Sequence, residues 1–160
     1  MKRILVVAVL ALFGFSVHAQ EGFKAGANIG LPVGDASDWS DFSIGLDVAH
    51  HWEVADSFSA GVAAGFTNAV TKKIAGVKID DVQFLPIAAS GRFAAGEDFS
   101  LGADIGYAIG INEGNDGGFY YRPIVGYKVG WDMEINLSYT GISMDESSWN
   151  TVNLGVLFTL

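Results

Sequence analysis

Between Phe99 and Ile111 the chain alternates without a break, with Phe99, Leu101, Ala103, Ile105, Tyr107, Ile109 and Ile111 on one parity and Ser100, Gly102, Asp104, Gly106, Ala108 and Gly110 on the other. A period of two belongs to a strand, whose successive side chains point to opposite faces. One face is apolar and the other is small and polar. Phe58–Asn68 and Ser43–Val54 divide in the same way. Applied along the chain, the pattern predicts eight strands: 22–33, 42–54, 58–68, 82–94, 99–111, 119–129, 133–143 and 151–160. The connections alternate in length. Those at 34–41, 69–81, 112–118 and 144–150 are long, and those at 55–57, 95–98 and 130–132 are short. That rhythm predicts an all-β fold, an eight-stranded antiparallel up-and-down barrel with short turns at one end and longer loops at the other.

The first residues carry a different signal. Met1-Lys2-Arg3 is a basic head, Ile4–Phe15 is apolar apart from Gly14, and Val17-His18-Ala19 places small residues before a cut at Gln20. Residues 1–19 are therefore expected to be a secretory signal peptide and residues 20–160 a single barrel domain. Removing Lys2 and Arg3 leaves 7 basic against 18 acidic residues, a net charge of −11. Nucleic acid is thereby excluded as a natural partner. The chain has no cysteine, so disulfides, thiolate metal sites and a cysteine nucleophile are excluded as well.

Which face of the barrel is inside follows from what the polar face is made of. Gly26, Gly30, Gly45, Gly61, Gly65, Gly102, Gly106, Gly110, Gly126 and Gly155 all fall on it. On a solvated exterior they would weaken the strands, whereas a narrow lumen requires small residues. The apolar face carries no Asp, Glu, Lys or Arg within the predicted strands, and His50 is its one ionisable group. Charge near the middle of a bilayer is costly, so this face suits lipid. A soluble, lipocalin-like barrel binding a small ligand would need the opposite arrangement. Aromatic residues gather toward both strand ends, as interfacial girdles do. Phe23, Trp52, Phe58, Phe93, Phe99, Tyr127 and Phe158 lie toward the short turns, and Phe42, Phe66, Tyr107, Phe119, Tyr121 and Tyr139 toward the long loops.

With its signal peptide, eight alternating strands, loop rhythm and final strand Val152-Leu154-Val156-Phe158-Leu160, the sequence resembles the small eight-stranded outer-membrane barrels of the OmpA and OmpX type. The resemblance spans the whole chain after residue 19 and implies a place in the outer membrane of a Gram-negative bacterium. It also implies contact with the lipid bilayer and lipopolysaccharide, and insertion by the barrel assembly machinery through the last strand. Members commonly end in Phe, whereas here the terminal residue is Leu160.

The polar face holds Lys24, Asp47, Glu53, Arg92, Asp104, Arg122, Lys128 and Glu134, four acids and four bases. Strand position sets Asp47, Asp104 and Arg122 near mid-height and the others nearer the short turns. Because an uncompensated buried charge costs several kcal/mol, these groups are expected to form an interior ion-pair network, with Arg122 bridging Asp47 and Asp104. Such a network either braces the lumen or gates a narrow, porin-like ion path. Some barrels of similar appearance are lipid-modifying enzymes, which need a nucleophile, a base and an orienting group within reach of one another. His50 and His51 are adjacent and face opposite ways, and no serine stands out as an activated partner. No catalytic residue, cofactor or metal is expected.

The long loops are the remaining candidates, since a rigid barrel is a platform for functional segments. Asp35, Asp38 and Trp39 lie in the first loop, Lys72, Lys73 and Lys78 in the second, Glu113 and Asp116 in the third, and Asp145, Glu146 and Trp149 in the fourth. The acids are possible divalent-cation ligands and the lysines possible contacts for lipopolysaccharide phosphate, although no spacing matches a defined calcium loop. Both tryptophans are expected to be exposed. Pro32, Pro86 and Pro123 fall inside predicted strands, where each removes a ladder hydrogen bond and calls for a bulge or a shifted strand end. The loop at 69–81 is expected to extend as a hairpin around Gly76. The role implied is non-enzymatic, in envelope integrity or surface interaction through the loops.

Overall fold

In the computed structural model, residues 22–160 are described. The segment read as a signal peptide lies outside the described residues. Ten strands follow in order: β1 Phe23–Val33, β2 Ser40–Ala55, β3 Phe58–Thr71, β4 Lys73–Ile74, β5 Val77–Lys78, β6 Val82–Ala94, β7 Phe99–Gly110, β8 Gly118–Val129, β9 Met133–Ser143 and β10 Ser148–Thr159. Eight of them close into one antiparallel barrel in the order β1-β10-β9-β8-β7-β6-β3-β2. The seam runs from Lys24 opposite Thr159 to Val33 opposite Asn150. No described helix is long and apolar enough to cross a membrane.

The small pair β4–β5 is the hairpin expected beyond the second loop. Lys73 faces Lys78 across it, and its two-residue turn places Ala75 at φ 52° and Gly76 at φ 81°. Positive φ at both central positions is the geometry that matches the twist of flanking strands. A four-residue helix, α1 (Ala36–Trp39), fills the first loop. Several strands are longer at the loop end than predicted. β2 starts at Ser40, β3 runs to Thr71 and β10 starts at Ser148.

All three prolines sit where one neighbour's ladder is missing. Pro32 lies beyond Gly30–Ser43, the last β1–β2 pair. Around Pro86 the β3–β6 register lapses between Ala64–Ile87 and Thr67–Phe84. Around Pro123 the β8–β9 register lapses between Tyr121–Gly141 and Ile124–Ser138. Each proline keeps a partner on its other side, Thr151, Ala108 and Ala103 in turn. A missing N–H is harmless where no ladder acceptor faces it.

The outer surface is the apolar parity: Ile29, Ile44, Leu46, Val62, Ile87, Leu101, Ile105, Val125, Leu137 and Leu154 are all exposed. Aromatic side chains pair at both margins. Phe99 and Tyr127 pair with tilted rings whose centroids are 5.0 Å apart near the short turns, and Phe119, Tyr121 and Tyr139 form a row with successive centroids 6.3 Å apart near the loops. Inside, the core is polar at mid-height and apolar toward the loops, where Phe84, Tyr120, Ile142 and Trp149 pack with Ala36, Ala69 and Ala108.

Candidate functional site

The interior charges fall into layers. At mid-height, Arg122 of β8 donates from Nη1 to Asp47 Oδ1 at 2.8 Å and from Nη2 to Oδ2 at 3.1 Å. In the strand order β8 and β2 are four steps apart either way round, so this bidentate pair crosses the full width of the lumen. Asp47 lies open to the lumen because its partners on both adjacent strands are glycines, Gly26 and Gly65. Asn28 Nδ2 donates to Asp47 Oδ2 at 2.7 Å, and Arg122 Nε donates to Ser138 Oγ at 3.1 Å.

Arg122 does not bridge to Asp104, contrary to the expectation, even though the two are directly opposite in the β7–β8 register. Asp104 turns the other way, to β6. Ser90, its direct partner there, donates from Oγ to Asp104 Oδ1 at 2.6 Å, and Arg92 Nη1 donates to the same oxygen at 2.8 Å. With its lone pairs met by β6, Asp104 leaves the longer reach to Arg122. Nearer the short turns Lys24 Nζ lies 3.1 Å from Glu134 Oε2. Glu53 and Lys128 are exposed at that end and join no ion pair among the described residues, because their strands run past the lumen into the turns.

Glycine sets the room for these contacts. A Cβ on Gly102 would lie 2.5 Å from Arg92 Cδ and 2.8 Å from its Nη1, and one on Gly126 would lie 2.6 Å from Glu134 Oε1. Gly102→Val should therefore push Arg92 off Asp104 and cost about 1–3 kcal/mol, the usual penalty for overpacking. Urea unfolding in lipid vesicles measures it, and an unchanged midpoint would refute the packing argument.

His51, Ser90 and Asp104 deserve a chemical test because they are the residue types of a hydrolytic triad. His51 Nε2 is 2.8 Å from Ser90 Oγ. Since that hydroxyl gives its hydrogen to Asp104, the imidazole is the donor. The serine lies between the other two, whereas a nucleophilic serine needs the histidine in the middle, oriented by the acid. The cavities flanking Arg122 are each about 20 Å3, room for roughly one water molecule. A lipid acyl chain does not fit there.

Above Arg122 the inward-facing Phe84, Tyr120 and Trp149 cap the lumen. Trp149 is 7% exposed and packs 6.1 Å from the Phe84 ring, which corrects its expected place on the surface. The early start of β10 is the reason, since it extends the inner parity of Thr151 and Asn153 by one residue pair. Trp39 is exposed, as expected. Over this cap lies a basin of about 550 Å3. Its walls bring together Asp35 and Trp39 of the first loop, Glu113 and Asp116 of the third, and Asp145 and Glu146 of the fourth, with Trp149 below. Asp38, Lys73 and Lys78 do not line it, and Lys72 Nζ donates to Ser37 O at 2.6 Å, fastening the second loop to the first. Among the described residues no three His, Asp or Glu side chains converge to hold a metal ion.

Charge alone could not have marked Ser90, Asn28 and Ser138, which are neutral. Their parity could, because each lies on the same strand face as the charged group it serves.

A closed barrel with a polar lumen and an apolar exterior is shared by several membrane families, so the sequence relationship decides. Residues 5–159 match the profile of the outer membrane protein beta-barrel domain. The chain belongs to that family. As an outer-membrane β-barrel it resides in the bacterial outer membrane, with its apolar face against the lipid bilayer. No curated protein matches the sequence. Among solved structures it is similar to the attachment invasion locus protein Ail of Yersinia pestis, with a TM-score of 0.60, 19% identity and coverage of 87% of this chain and 99% of that one. Neisserial surface protein A is similar at TM-score 0.57 and 16% identity, covering 87% and 97%. The N-terminal barrel of Pseudomonas aeruginosa OprF is similar at TM-score 0.56 and 14% identity, covering 86% and 97%. At these identities the likeness is one of fold.

Proposed function

We propose that this outer-membrane β-barrel is a non-enzymatic surface protein, a sealed anchor that presents its four longer loops outside the cell. The observation that carries the reading is the lumen itself. The Asp47–Arg122 pair spans its width, Phe84, Tyr120 and Trp149 fill it above, and the flanking cavities hold about one water each. A barrel closed in this way has its accessible chemistry at the loop end. In this reading residues 1–19 are a signal peptide removed before Gln20, the barrel assembly machinery receives β10, and lipopolysaccharide surrounds the loop end near Lys73 and Lys78.

Two measurements test it together. In planar bilayers the purified protein should show no unitary conductance steps, and in intact cells trypsin should cut at the lysines of the β4–β5 hairpin, leaving two membrane-embedded fragments. Conductance that disappears on neutralising Asp47 and Arg122 would make it a gated channel. Release of acyl chains from labelled lipid A would make it an enzyme. Protection from trypsin until the outer membrane is permeabilised would invert its orientation.

A further inference from the structure

The turn that joins β8 to β9 differs in kind from the other two short turns. Asp56 and Ser57 join β2 to β3, and Ala95-Gly96-Glu97-Asp98 join β6 to β7. Both tips are polar. Between β8 and β9 the chain runs Gly130-Trp131-Asp132, with Gly130 at φ 81° and Trp131 fully exposed. We propose that Trp131 is a membrane anchor, seated in the ester and headgroup layer of the phospholipid leaflet at the short-turn end.

A single exposed apolar side chain needs no explanation by itself. Trp131, however, ends an unbroken apolar series. On the outward face of this hairpin the directly opposed pairs are Val125–Leu137, Tyr127–Ile135 and Val129–Met133. Val125, Leu137, Tyr127, Ile135 and Val129 are exposed, and Met133 is half-buried. The charged pair of the same hairpin, Lys128 opposite Glu134, lies on the other face. The lipid-facing surface is thus continuous down to the tip, where in the other short turns it gives way to polar residues.

Strand length fixes the depth. An outer-membrane barrel presents an apolar band about 25 Å tall on strands tilted about 40°. Phe119 marks the upper end of this band on β8, in the aromatic row near the loops. At about 3.3 Å per residue, the stretch from Phe119 to Tyr127 rises roughly 20 Å, and the stretch to Val129 roughly 25 Å. The band therefore ends at the Val129–Met133 pair, and the tip beyond it falls at the boundary between hydrocarbon and headgroups. Tryptophan suits that layer because its ring is apolar while its N–H seeks an acceptor, which lipid ester and phosphate oxygens supply. The neighbouring Asp132 costs little at this depth, where its charge is close to water.

The experiment uses the full barrel in phosphatidylcholine nanodiscs, which leave both membrane faces open to solutes. Trp39, Trp52 and Trp149 are replaced by Phe so that Trp131 alone emits, and a gel mobility that still shifts on boiling shows that the variant is a folded barrel. The difference in emission between the unsubstituted protein and Trp131→Phe gives the same signal without altering the other tryptophans. Lipid brominated near the ester end of its chains should remove most of the Trp131 emission, and lipid brominated near the methyl end should remove little. Aqueous acrylamide should quench Trp131 less than it quenches free tryptophanamide in buffer. No response to either brominated lipid, with acrylamide quenching equal to that of tryptophanamide, would put the tip in water and leave it to a protein partner. Stronger quenching by the methyl-end bromine would bury it in hydrocarbon. Either result overturns the proposal. The two nanodisc leaflets are alike, so the outcome does not depend on which side of the membrane the loops face.

Discussion

Arg122→Ala should lower the free energy of unfolding in lipid vesicles by about 3–5 kcal/mol, the range for breaking a buried ion pair by removing one partner. Arg122 is 6% exposed and makes both of its charged contacts to Asp47 on the opposite wall. Without the guanidinium, Asp47 keeps only the Asn28 amide, and a carboxylate in that setting is poorly compensated. Replacing both partners with leucine should recover much of the loss, because a well-packed apolar pair avoids the desolvation cost altogether. A double-mutant cycle adds a sharper criterion. Coupling between Arg122 and Asp47 should be large, and coupling between Arg122 and Asp104 small, since Asp104 is held by Arg92 and Ser90. A cycle with the opposite ranking would mean that the cross-lumen pair is not the dominant contact.

The second large effect lies on the other surface. Ile105 sits at the middle of β7 and is 54% exposed, facing outward between Ala89 and Tyr121 on the adjacent strands. Ile105→Arg should cost about 2–4 kcal/mol in vesicles, the penalty for a cation at the midplane of the hydrocarbon layer. The same change at Trp131, fully exposed at a short turn, should cost about 0–1 kcal/mol. On a water-soluble barrel both substitutions would fall within about 0.5 kcal/mol of neutral. The difference between the two sites therefore measures where the lipid is.

The barrel was legible because its two faces obey different physics along every strand. Lipid tolerates no charge and the narrow lumen tolerates little bulk, so parity and glycine content were enough to assign inside and outside. The interior partners were only half legible. Parity placed Asp47, Asp104, Arg92 and Arg122 on one face, but which of them meet depends on register and on the reach of each side chain across the lumen, and Arg122 passes its direct neighbour to find Asp47. Trp149 was misplaced for a local reason: the polar run Ser147-Ser148 reads as loop, while pairing with Ser143 and Ile142 draws it into β10. The basin was illegible, since it exists only where loops distant in sequence meet.

The seam between β1 and β10 carries a kinetic consequence. Six of the other seven strand junctions pair strands that are consecutive in the chain, and the seventh, β3 to β6, spans only the small β4–β5 excursion. The seam alone joins the first and last described strands, and Leu160 N–H donates to Phe23 O at 3.0 Å. Hairpins form quickly because their loops are short, while contacts distant in sequence wait on a larger loss of chain entropy. Pairing of β1 with β10 is thus expected to follow formation of the hairpins. Until then both terminal strands expose unpaired edges, which are templates for association with any other strand. β10 is the partner of both β1 and β9, so without it each of those strands would present an open edge and the ring of strands would not close.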